Sequence, residues 1–98
     1  SRQNGIAHNL ISMKEDAGFI VYPNPASTRI MILLKNKLQL TGTINIYNTT
    51  GKLIDQKSVE PGVYKLPMQI GQIKSGLYMI QLIENQKIID TRRFIKLE

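Results

Sequence analysis

Phe19-Ile-Val-Tyr-Pro-Asn-Pro-Ala-Ser-Thr28 begins as an apolar strand and is stopped by two prolines that bracket an asparagine. Pro23 and Pro25 have no backbone N–H, and the residues before them, Tyr22 and Asn24, are pushed toward extended conformations. The chain therefore leaves a strand in a stiff kink. From Ala17 onward, short runs rich in Ile, Val, Tyr and Leu alternate with turn signals about every ten residues, the pattern of an all-β sandwich or barrel. No stretch has the period of a long amphipathic helix.

The alternation predicts strands over residues 18–22, 29–35, 42–48, 52–58, 62–70, 77–84 and 87–96, and seven strands fit an immunoglobulin-like antiparallel β-sandwich. In the third, Ile44 and Ile46 alternate with Thr43, Asn45 and Tyr47, so one face is apolar and the other can meet water. Asn48-Thr-Thr-Gly51 reads as a hairpin turn, with Gly51 suited to positive φ. Glu84-Asn-Gln-Lys87 reads as a second, between strands whose inward set is Tyr78, Ile80, Leu82, Ile89 and Phe94. The odd separation of Ile89 and Phe94 predicts a bulge between them.

The 98 residues support one domain large enough for an unstapled core. Residues 1–16 hold Asn, Gln, Ser and charges around a short apolar patch, Leu10-Ile-Ser-Met13, without sustained period, and read as a linker or weakly attached arm. The sandwich domain is then 17–96. With no cysteine there is no disulfide framework and no thiolate metal site, and the compartment stays open. No apolar run approaches the roughly 18 residues of a membrane span. Ser1-Arg-Gln-Asn-Gly5 lacks the apolar core of a signal peptide, so an exported chain would be carried by another segment. The net charge of +6 divides evenly, five basic against two acidic residues in 1–49 and eight against five in 50–98. The basic residues stand mostly singly between apolar ones, which argues against a nucleic-acid interface.

Candidate chemical groups have plainer readings. His8 stands in the arm with no ligand partner in reach and reads as solvated. Glu15-Asp16 lack the spaced oxygens and loop glycine of a calcium motif. Ser27-Thr28 have no nucleophile elbow or partnered base and read as turn residues. Asn48-Thr49-Thr50 matches a glycosylation acceptor but is also a simple turn. No convergent set of nucleophile, base or ligands points to an enzyme, a metal or a cofactor. Gly76-Leu77-Tyr78 fits a tyrosine corner, in which a buried ring at the start of the sixth strand returns its hydroxyl to an upstream backbone group. Arg92, Arg93 and Lys96 on the last strand read either as an anion or receptor contact or as charges that keep an edge from pairing.

Taken in order, Tyr22-Pro23-Asn24-Pro25-Ala26, then Ile46-Tyr47-Asn48 with Gly51-Lys52, then Ile73, Gly76 and Tyr78, then Arg92-Arg-Phe-Ile-Lys96, the chain resembles the type A C-terminal sorting domain of cargo of the Bacteroidetes type IX secretion system. Each motif alone is weak, and the ordered set is specific. An acidic residue that often follows the opening string in that family is replaced by Thr28-Arg29, which removes support for a cation site at this turn. The family usually stops at the terminal lysine, so Leu97-Glu98, and Ser1 at the other end, look like additions for expression.

The resemblance implies a targeting module and not an enzyme. Such a domain directs a larger cargo through the type IX translocon, passes the periplasm in transit, is removed by a cysteine peptidase of the system, and leaves the cargo on the cell surface or outside the cell. The resemblance makes Arg92, Arg93 and Lys96 the residues for the translocon partner, reading a strand edge or a basic patch. The extended stretch for the peptidase is about Asn9 to Gly18. The alternative is a free-standing immunoglobulin-like adhesion or carbohydrate-associated module. A glycan binder needs exposed aromatics, whereas there is no Trp and Tyr22, Tyr47, Tyr64 and Tyr78 mostly fall within strand patterns.

Overall fold

The computed structural model of the chain describes residues 18–98. The expectations for His8, Glu15, Asp16 and the arm lie outside the described residues. Seven strands follow one another: β1 Phe19–Tyr22, β2 Arg29–Leu34, β3 Gly42–Tyr47, β4 Leu53–Val59, β5 Lys65–Gln69, β6 Gly76–Glu84 and β7 Lys87–Lys96. They form two antiparallel sheets, β1-β2-β5 and β4-β3-β6-β7. This is the expected immunoglobulin-like sandwich.

The period-two alternation fixes which side chains the sheets enclose. Phe19, Ile30, Ile32, Leu34, Leu66 and Met68 come from the three-stranded sheet, and Ile44, Ile46, Val59, Ile80, Leu82 and Phe94 from the other. Each such side chain taken from water contributes about 1.5–3 kcal/mol, which is how a chain without disulfides holds together. Tyr78 and Phe94 face each other across β6 and β7 with stacked rings 5.5 Å apart.

Three details differ from the sequence reading. The fifth strand begins at Lys65 and not at 62, because Gly62 takes φ 88° and Val63 donates to the Glu60 carbonyl, closing a turn there. The outer face of β3 is not simply wet. Asn45 is buried, accepting from Gln56 Nε2 at 2.8 Å and donating to the Tyr47 hydroxyl at 3.0 Å. The bulge lies at Ile89 itself, since Leu82 pairs with Asp90 and Ile83 with Ile88. A further irregularity, between Ile46 and Tyr47 against β4, has no sequence signal. The bulge in β7 matters most, because after it Asp90, Arg92, Phe94 and Lys96 all share the inward phase.

Candidate recognition site at the closing strand

The kinked string after β1 lies along the edge of β7. Asn24 sits between two prolines, so its backbone offers little to pair, and its side chain pairs in its place. Nδ2 donates to the Arg93 carbonyl at 3.2 Å and Oδ1 accepts from the Ile95 N–H at 2.9 Å. A primary amide carries a donor and an acceptor side by side, as a peptide group does. Two residues on, the Ala26 N–H donates to the Ile95 carbonyl at 2.9 Å and the Ala26 carbonyl accepts from Leu97 at 2.7 Å, a parallel bridge to Lys96. Leu97, set aside on sequence grounds, thus supplies a backbone bond.

The other end of β7 holds β1. The Phe19 N–H donates to Asp90 Oδ2 at 3.2 Å, and Arg92 Nε donates to the Phe19 carbonyl at 3.1 Å and to Asp90 Oδ2 at 3.1 Å. Gly18 makes this approach possible, for it takes φ 118° and any Cβ there would fall on the Asp90 carboxylate. β1 and β7, edge strands of different sheets, are therefore joined from Asp90 to Leu97.

The opposite side of the sandwich is blunted by other means. On β5 Pro67 has no N–H to offer, and Lys57 Nζ crosses from β4 to its carbonyl at 2.8 Å. On β4 Asp55 Oδ1 accepts from the Gln56 N–H at 2.8 Å. Charges, proline and side-chain caps at edges are how sheets avoid pairing with foreign strands.

The three basic residues singled out on β7 have separate fates. Arg92 is spent on Phe19 and Asp90. Lys96 is buried with its stem in the inward phase, and its ammonium donates to the Leu97 carbonyl. Arg93 alone points outward with an exposed side chain, beside Met79. An open β7 edge for strand addition, one of the two modes expected, is not what the fold offers, because Asn24 and Ala26 occupy it.

The other signature residues hold turns and core. Gly51 and Gly76 take φ 86° and 148°. Tyr78 donates its hydroxyl to the Lys74 carbonyl at 2.6 Å, the tyrosine-corner bond. Tyr22 is exposed on the three-stranded sheet, preceding two cis prolyl bonds. Tyr64, expected within a strand, stands exposed in the loop before β5 with Lys37 Nζ 5.8 Å from its ring centre.

Sequence reasoning missed Asp90 and the pairing role of Asn24. Asp90 does stand two residues from Arg92, on one face of one strand, but its phase is readable only once the bulge is placed. Asn24 and β7 are some seventy positions apart, and no local pattern connects them.

Residues 20–97 match the family described as the secretion system C-terminal sorting domain. No curated protein matches the chain. The chain belongs to that sorting-domain family: it is a C-terminal sorting signal for type IX secretion, a kind of domain that is not catalytic, and it implies interaction with the secretion system and export to the cell surface or beyond.

Proposed function

We propose that the export machinery reads this domain as a folded unit, through side chains presented by β7, and that a cysteine peptidase then frees the cargo by cutting upstream of β1. The observation that supports this reading is the closure of the β7 edge. With residues 93, 95 and 97 already bonded to Asn24 and Ala26, recognition falls to side chains. Of the basic set, Arg93 meets the translocon directly, while Arg92 and Lys96 hold the strand that carries it. The sandwich, 17–96, is the signal, 1–16 is the linker, and the peptidase works across their junction, between about Asn9 and Gly18, with the cargo passing through the periplasm on its way.

The test is a reporter exported to the periplasm and fused at its C-terminus to residues 1–98, which keep the Leu97 bond to Ala26, in a bacterium with a compatible type IX system. The reporter should reach the surface or the medium. Retention of the unaltered fusion in a verified host would count against the sorting reading. Arg93→Glu should leave a folded domain and sharply lower export, since an exposed side chain costs little stability while a charge-reading partner is repelled. Arg92→Glu and Lys96→Glu should instead lower the melting temperature.

A further inference from the structure

We propose that the outer face of the four-stranded sheet, at the end where β7 closes, is the docking surface for a folded protein that offers apolar side chains around a carboxylate. The register assembles this face from all four strands. Leu53, Tyr47, Met79 and Arg93 lie side by side in one row, and Leu77 pairs with Ile95 in the next. Leu53, Leu77, Met79 and Ile95 are each 41–46% exposed, so one apolar surface is left uncovered. Contiguous apolar patches of this kind mark interaction sites far more often than single exposed residues do.

The patch has a boundary and a shape. On one side the row Gln56, Asn45, Gln81 and Thr91 replaces apolar with polar groups, and Asn45 is bonded in both directions. Met79 forms a ridge between two depressions. One, of about 30 Å³, lies between Leu77, Arg93 and the Asn48-Thr49 turn. The other, of about 270 Å³, is bordered by Tyr47, Gly51 and Gln81. A ridge flanked by hollows suits interdigitation with an anchor side chain.

Charge selects the occupant. Arg93 is the one charged residue in these two rows, and its guanidinium has no partner among the described residues. No outward register position of the sheet carries Asp or Glu. A second copy docked face to face would place Arg93 toward its own symmetry mate with no carboxylate to separate them. A lipid surface is drawn by clusters of basic residues, and these rows hold a single basic residue, Arg93. A folded protein with a carboxylate among apolar groups satisfies both features. That it belongs to the export machinery rests on the sorting function.

The experiment uses the same reporter fusion with two sets of substitutions. Leu77→Gln with Met79→Gln, and separately Arg93→Glu, should lower the exported fraction roughly tenfold, the effect of about 1.4 kcal/mol of lost binding, while Arg93→Lys retains most of it. Ile20→Gln with Leu33→Gln, on the outward face of the other sheet, should export normally. All variants should melt at the parent temperature as isolated chains. Export of the parent fusion with unchanged export of the Leu77, Met79 and Arg93 variants would overturn the surface and leave the sorting function standing. Retention of the parent itself would count against the sorting function. Two further results would overturn the choice of occupant: a dimer in analytical ultracentrifugation that Met79→Gln dissolves, or binding to phosphatidylserine vesicles that Arg93→Glu abolishes.

Discussion

Asn24 does with a side chain what a strand residue does with its backbone. Its two bonds to β7 each contribute about 0.5–1.5 kcal/mol net, so Asn24→Ala should cost about 1–3 kcal/mol in urea denaturation. Asn24→Asp separates the two bonds, because a carboxylate still accepts from Ile95 but cannot donate to Arg93. Amide exchange should therefore show Ile95 less protected in Asn24→Ala and largely protected in Asn24→Asp. Equal protection of Ile95 in the parent and in Asn24→Ala would mean that the side chain does not hold the strand. Tyr78 offers a second comparison: Tyr78→Phe loses only the bond to Lys74, about 1 kcal/mol, whereas Tyr78→Ala also empties the core beside Phe94 and loses about 3–5 kcal/mol. Near-zero effects of both would remove the corner from the account of stability.

At the scale of the element, β7 has an inward face that is polar at one end, Asp90 and Arg92, and mostly apolar at the other, Phe94 and the stem of Lys96. The polar end binds a neighbouring strand and not solvent. Asp90→Ala leaves the Phe19 N–H without its acceptor and should cost about 1–3 kcal/mol. The Asp90–Arg92 ion pair is half exposed at the arginine and contributes little alone. Arg92→Ala should accordingly cost less than Asp90→Ala, with the Phe19 amide exchanging faster in the aspartate variant, and the reverse order in thermal melts would show that the guanidinium carries the clasp. The strands themselves were legible because alternation is local: Ile44 and Ile46, or Ile80 and Leu82, announce their phase within five residues. The bulge was half legible, since the parity of Ile89 and Phe94 required one and set it between them, whereas it lies at Ile89 itself. Arg92, Arg93 and Lys96 looked alike in the sequence because charge does not reveal phase. Only the pairing of β7 with β6 shows that one clasps β1, one is buried and one faces out.

For the molecule as a whole, one open side of the sandwich is closed by Asn24, Ala26 and Asp90 and the other is blunted by Pro67 and Lys57, and the net charge of +6 adds mutual repulsion between copies. Every described strand beyond the kink is bonded into this frame. Limited proteolysis should cut between about Asn9 and Gly18 well before any site after Pro25. Early cleavage within residues 29–96 would move the domain boundary proposed above.

The bonds that tie Asn24 and Ala26 to residues 93–97 also carry a consequence for biosynthesis. β7 is the last strand of the domain to leave the ribosome, and although the first strand already pairs with β2, the kink that follows it has no partner until β7 arrives. A chain interrupted before Arg93 keeps only the first part of β7, leaves Asn24 unpaired and exposes the edge of β6 beside Tyr78, so the domain closes only once the second half of β7 has been made. A version ending at Thr91 should bind 8-anilinonaphthalene sulfonate and be digested rapidly, while the chain with β7 entire should do neither; equal dye binding by the two would show that closure does not wait for the second half of β7.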